Sequence, residues 1–225
     1  GNCPIFTPQN RSSVYLNNVS NRGYGSDIFS DIAINVFVDT FTVSNPTDFH
    51  TNPLANFNFA INYGIQTQVN ADLFVSPTGD NTNNGLNVDN PLKTIQYASS
   101  VLVADTLNPH TIYLSEGIYS SSTNGEYFPV VISSNVTLSG CDQTSVILDA
   151  AGYGSVIRAR YLENVTITNL TLCNGYSNSG GGIHCKNSDL NLVNITIRDN
   201  SARVYGGGIH CYNSSPRLEN VTITR

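Results

Sequence analysis

The chain has 225 residues, of which 40% are apolar and only 12% charged, and its net charge is −6. That is enough apolar material for one elongated domain, but the polar surface falls to Asn, Ser, Thr and Gly, which disfavour helix interiors and suit strands joined by tight turns. The acidic balance argues against nucleic acid or an anionic membrane as a partner, and no run of about 18 apolar residues is present to span a bilayer.

The first residue is Gly1 and no Met occurs, so the chain reads as processed or excised. Residues 1–70 read as an additional N-terminal β segment without an assigned role. Within it, residues 31–43 read as one long strand and residues 57–61 as another. Residues 71–225 read as a separate domain. Near its start, residues 80–89 are rich in Asn and Asp. They lack the spacing and closing Glu of a calcium loop, so they read as a turn. From Pro91 onward, Leu92, Ile95, Ala98 and Leu102 share one helical face. A short amphipathic helix there would cover the end of a stack of strands, which otherwise exposes core and unpaired backbone.

The repeat follows. Gly180-Gly181-Gly182-Ile183-His184-Cys185 recurs 26 residues later as Gly206-Gly207-Gly208-Ile209-His210-Cys211. Asn194-Ile195-Thr196-Ile197 recurs at the same offset as Asn220-Val221-Thr222-Ile223, and Asn169-Leu170-Thr171-Leu172 comes one repeat earlier. Asn135-Val136-Thr137-Leu138 looks like a fourth, less regular coil. Inside each coil the apolar period is two: Leu190, Leu192, Ile195 and Ile197 alternate with polar residues, with Val193 at a bend. Such a coil buries its inner face only against copies of itself. The expected fold is all-β: a right-handed parallel β-helix, or solenoid, with a short N-terminal capping helix and the extra N-terminal β segment. The Gly-Gly-Gly runs fit a bend that needs positive φ.

Stacking at this offset predicts columns. Ile157, Ile183 and Ile209 superpose inside, as do Ala159, Cys185 and Cys211. Cys185 and Cys211 then read either as stacked small apolar groups or as a disulfide across rungs. Cys173 aligns with Arg198 and Thr224 and is expected exposed or near a turn. Five cysteines leave at least one unpaired in a monomer. Sequons at Asn10, Asn18, Asn135, Asn164, Asn169, Asn194, Asn213 and Asn220 read mostly as turns at strand starts.

The residues Leu73-Phe74-Val75-Ser76-Pro77-Thr78-Gly79-Asp80, then Asn90-Pro91-Leu92-Lys93-Thr94-Ile95, resemble the opening segment of secreted pectate-lyase-like β-helix proteins. Thr111-Ile112-Tyr113-Leu114-Ser115-Glu116-Gly117 continues the likeness. The Gly-Gly-Gly-Ile repeats are similar to those of polymorphic outer-membrane adhesins. This resemblance implies a secreted or cell-surface location. Its members include lyases, glycosidases, adhesins and structural proteins, so the fold does not fix an activity.

One outward strip stands out: Arg158, Arg160, His184, Lys186, His210 and Tyr212. Tyr212 could stack on a sugar, and the cations could engage carboxylates or sulfates of an anionic glycan. The plain alternative is a solvated face. His184 and His210 suit two metal ligands but lack a third, so no metal, cofactor or catalytic residue is assigned. The carboxylates Asp142, Asp149, Glu163, Asp189, Asp199 and Glu219 form no outward pair when projected onto the coils. The expected function is a non-catalytic extracellular surface, structural or adhesive protein, with polysaccharide as partner. Self-association through the open coil end, giving filaments, is expected if the chain is not a fragment. The alternative is a carbohydrate-active enzyme acting on an acidic polysaccharide.

Overall fold

The computed structural model describes residues 28–225. Cys3 and the sequons at Asn10 and Asn18 lie outside the described residues. The chain divides after Val69 into two compact units.

The unit Asn70–Arg225 is a β-solenoid of parallel strands. Its longest ladder stacks Leu73–Val75, His110–Leu114, Val136–Gly140, Val165–Cys173, Leu190–Arg198 and Arg217–Thr224 in that order. A second ladder stacks Val130–Val131, Ile157–Arg160, Ile183–Lys186 and Ile209–Tyr212. A third pairs Tyr176–Ser179 with Ser201–Tyr205.

The core follows from the period of two. Ile167 pairs with Leu192, Leu170 with Ile195 and Leu172 with Ile197, and all six are buried. Burying each such side chain is worth about 1.5–3 kcal/mol, and a lone rung would forfeit it.

The long strands bend at asparagine. Asn169, Asn194 and Asn220 have φ of 57°, 54° and 52°. Asn tolerates this left-handed conformation, which a β-branched residue resists. Their side chains form a ladder: Asn194 Nδ2 donates to Asn169 Oδ1 at 3.0 Å, and Asn220 Nδ2 donates to Asn194 Oδ1 at 3.1 Å. Asn135 and Asn164 do sit at strand starts, and Asn164 Nδ2 donates to Asn135 Oδ1. Asn169, Asn194 and Asn220 lie inside their strands instead. The left-handed residue turns the strand while each side chain bonds to its counterpart one rung away, so pairing continues through the bend.

The glycine runs serve two purposes. Gly180 and Gly206 have positive φ. Gly181 and Gly182 do not. They are glycines because neighbouring rungs pass too close for a Cβ: one on Gly181 would meet Ser201 O and Gly207 O, and one on Gly182 would meet Gly208 O.

The helix Ile95–Val101 is capped by Thr94, whose side chain accepts from Tyr97 N. Leu92, Ile95, Ala98 and Leu102 are all buried, and the helix packs on Leu73–Val75 and Val130–Val131. Leu92 precedes it, accepting from Ser76 N and donating to Phe74 O. Buried Glu126 accepts from Ile95 N at 2.7 Å and Gln96 N at 3.1 Å. Burial pushes its carboxyl up to about 7, against the opposing pull of those two donors. The residues 80–89 form turns in which Asp80 accepts from Thr82 and Asn87 from Asp89 and Asn90.

In the other unit, Ile34–Phe41 and Phe57–Gly64 pair in parallel, and so do Ile28–Phe29 and Thr51–Asn52. Both pairings have the same offset. Asn58 Nδ2 donates to Asn35 Oδ1 across 23 residues, a further contact between stacked asparagines. Of the strand expected over residues 31–43, residues 31–33 and 42–43 fall outside the observed one. Among the described residues, no helix is long and apolar enough to cross a membrane.

Candidate functional site

The six strip residues lie where the repeat offset places them. Arg158 pairs with His184 and His184 with His210, while Arg160 pairs with Lys186 and Lys186 with Tyr212. Their neighbours one residue away, Ala159 and Cys185, are buried, so the strip is the outer side of the Ile157–Arg160, Ile183–Lys186 and Ile209–Tyr212 strands.

Exposure grades along it. Tyr212 is 54% exposed, whereas Arg160 keeps only 9% of its surface. Arg160 is therefore not part of an open solvated face, contrary to expectation. It lies on a rung with strands on both sides, and Arg158 and Arg160 are each engaged by a further interaction.

The open end is aromatic as well as basic. Lys186 Nζ lies 5.6 Å from the Tyr161 ring centroid and 5.9 Å from that of Tyr212. Tyr205 stacks on His210 at 5.6 Å, and His210 meets His184 edge-on at 5.3 Å. Nearby in sequence, Arg203 donates to the Tyr176 hydroxyl at 2.9 Å and lies over its ring. Tyr161 and Tyr205 were not legible as site residues. Tyr161 follows the repeated strand with φ of 56°, and Tyr205 pairs with Ser179, so neither belongs to a column of like residues.

His184 is held neutral. Desolvation, then the charges of Arg160, Arg158, His210 and Lys186, push it down to about 4. A folded value below the ordinary one of 6.5 means that the unfolded chain binds the proton more tightly. Stability is thus intact above pH 6.5 and drains as pH falls toward 4. Because the ring is partly open to water, the loss will be about 1 kcal/mol. Chemical denaturation at pH 7 and pH 4 will show this difference shrinking in His184→Gln.

The carboxylates mostly serve turns. Asp142 accepts from Thr144 and Ser145, Asp149 from Ala151 N and Asn174, and Asp199 from Arg198. Glu219 accepts from Arg217. Asp189 likewise holds a turn, accepting from Ser215 N on the next rung, and Glu163 is its counterpart one rung earlier. They occupy equivalent places on adjacent rungs, since Leu162 N donates to Ser188 Oγ across 26 residues. Both line one polar groove with Asn164, Asn187, Asn191 and Asn213, at the turns that follow the strip. Both stand in turns, where no alternation marks which way side chains point, so projection onto the coils did not bring out their shared groove.

Among the described residues, no group of three or more His, Cys, Asp and Glu is arranged to hold a metal ion. Cys141, Cys173, Cys185 and Cys211 are free thiols. Cys173 does stand near a turn, ending its strand beside Asn174 with its φ of 56°, but it is buried and not exposed, because it lies between the Asp149 and Arg198 positions of the rungs on either side. Burial pushes its thiol up to about 11.

A family model described as "Protein of unknown function (DUF1565)" matches residues 77–225, more than half of the chain. The chain belongs to this family, which is associated with β-helix proteins. No match was found among curated proteins or among solved structures.

Proposed function

We propose that the chain is a non-catalytic extracellular surface module, adhesive or structural in kind, which holds an anionic polysaccharide along the open end of the strip. The supporting observation is Lys186 between the rings of Tyr161 and Tyr212, with Tyr205 stacked on His210 beside it. Flat aromatic faces suit sugar rings, and a cation at about the rung spacing of 4.8 Å suits a repeating acidic chain. The resemblance to pectate-lyase-like proteins and outer-membrane adhesins is consistent with this chemistry.

A second reading is a carbohydrate-active enzyme on the same class of polymer. The observation favouring it is the groove containing both Glu163 and Asp189 beside the strip, because glycoside cleavage uses two placed carboxyl groups. One experiment separates the readings. Polygalacturonate and a sulfated glycan are titrated against wild type and the double variant Lys186→Ala/Tyr212→Ala, and the same mixtures are assayed for new reducing or unsaturated ends. We expect binding without cleavage and a loss of at least about tenfold in the variant, equivalent to about 1.4 kcal/mol. Equal affinity for both proteins would sink the binding strip. Cleavage that disappears in Asp189→Asn would establish the second reading.

A further inference from the structure

The repeat puts a pair of thiols behind the strip. Cys185 and Cys211 are register partners on adjacent parallel strands. Cys185 is fully buried and Cys211 is exposed. Adjacent rungs stand about 4.8 Å apart, inside the Cα range that a disulfide spans and slightly wide for its Cβ atoms, so a small tilt closes the bond. Each cysteine is flanked by strip residues: His184 and Lys186 around Cys185, and His210 and Tyr212 around Cys211.

We propose that Cys185 and Cys211 form a redox-controlled staple, closed by a low-molecular-weight disulfide, that locks together the two rungs bearing four of the strip residues.

The chemistry balances. The Cys211 thiolate attacks the small disulfide, forming a mixed disulfide and releasing one small thiol. The Cys185 thiolate then attacks the Cys211 sulfur and releases the second. Two protein thiols lose two electrons and two protons, and both are taken up by the two small thiols. Cys211 is the attacking group because it is reached from solvent. Burial raises both thiols above their usual range, so the reaction runs slowly near neutral pH and faster when alkaline.

The test uses the intact 225-residue chain. It is incubated with oxidised glutathione at pH 8, blocked with iodoacetamide, denatured and mapped without reduction. The expected product has lost about 2 Da and contains one cross-link, between Cys185 and Cys211. It has a higher thermal midpoint that dithiothreitol returns to the starting value. In Cys185→Ser, Cys211 instead carries a stable glutathione adduct. A wild-type chain with glutathione retained on Cys211 and a free Cys185 would overturn the staple. So would a cross-link from Cys211 to any other cysteine, or a Cys211 that alkylates freely yet never oxidises.

Discussion

Gly181→Ala will cost at least about 4 kcal/mol, the range reserved for changes that break a packed structure outright. The new Cβ would stand against Ser201 O and 2.6 Å from Gly207 O. Both are backbone atoms, so no flexible side chain can move aside. The backbone itself is pinned on each side: Val156 N donates to Gly181 O at 2.9 Å, and Gly181 N donates to Gly206 O at 3.3 Å. Relief therefore requires two rungs to separate, with loss of ladder bonds and of core contacts beneath them. Gly152→Ala is the control. Its φ is +83°, but no atom lies within 4 Å of the added Cβ. It carries only the left-handed penalty of about 1–2 kcal/mol. Urea denaturation followed by circular dichroism compares the two. A Gly181→Ala chain no less stable than Gly152→Ala would show that the close approach between rungs is not a constraint.

Asn194→Leu will destabilise the solenoid by about 3 kcal/mol. Asn194 is the middle of the asparagine ladder, donating to Asn169 and accepting from Asn220. Its loss removes two side-chain hydrogen bonds, worth about 1 kcal/mol each. Leucine would also have to hold a φ of 54°, at a further cost of about 1 kcal/mol. Asn194→Gly separates these contributions. Glycine adopts the backbone freely but cannot make the bonds, so it will cost about 2 kcal/mol. The order wild type, Gly, Leu in denaturation midpoint is the expected result. If Leu matched Gly, the bend would not depend on the left-handed conformation. If both matched wild type, the ladder would add nothing to stability.

Much of the solenoid was legible because a stack turns sequence offset into spatial register. Two copies of Gly-Gly-Gly-Ile-His-Cys at an offset of 26 are enough to place His184 beside His210 and Cys185 beside Cys211. Alternation then assigns inside and outside. Residues 28–69 were harder. Ile34-Asn35-Val36 stacks on Phe57-Asn58-Phe59, but the two segments share only the asparagine, so no repeat announces the parallel pairing. What they do share is alternation, which is common to every half-buried strand and says nothing about partners.

The candidate site divides in the same way. Lys186 and Tyr212 were found as members of a column. Tyr161 and Tyr205, which complete the aromatic surroundings, come from outside the repeated strands. The Glu163 and Asp189 pair sits in turns, where side-chain direction is set by the local φ and not by a period of two. Burial also escaped the pattern: alternation gives Arg160 and Cys173 an outward direction, but water access depends on what stands around them.

The sequence by itself determined the parallel solenoid, its approximate repeat and the register of the basic strip, because those depend on periodicity and on residues that tolerate few conformations. The tertiary structure alone decided that the interior glycines of each run are there for close approach and that asparagines bond from rung to rung. It also decided that Lys186 lies between two tyrosine rings and that two carboxylates share a groove. Each of these depends on distances between atoms on neighbouring rungs, and a residue pattern fixes which positions face each other without fixing how near they come.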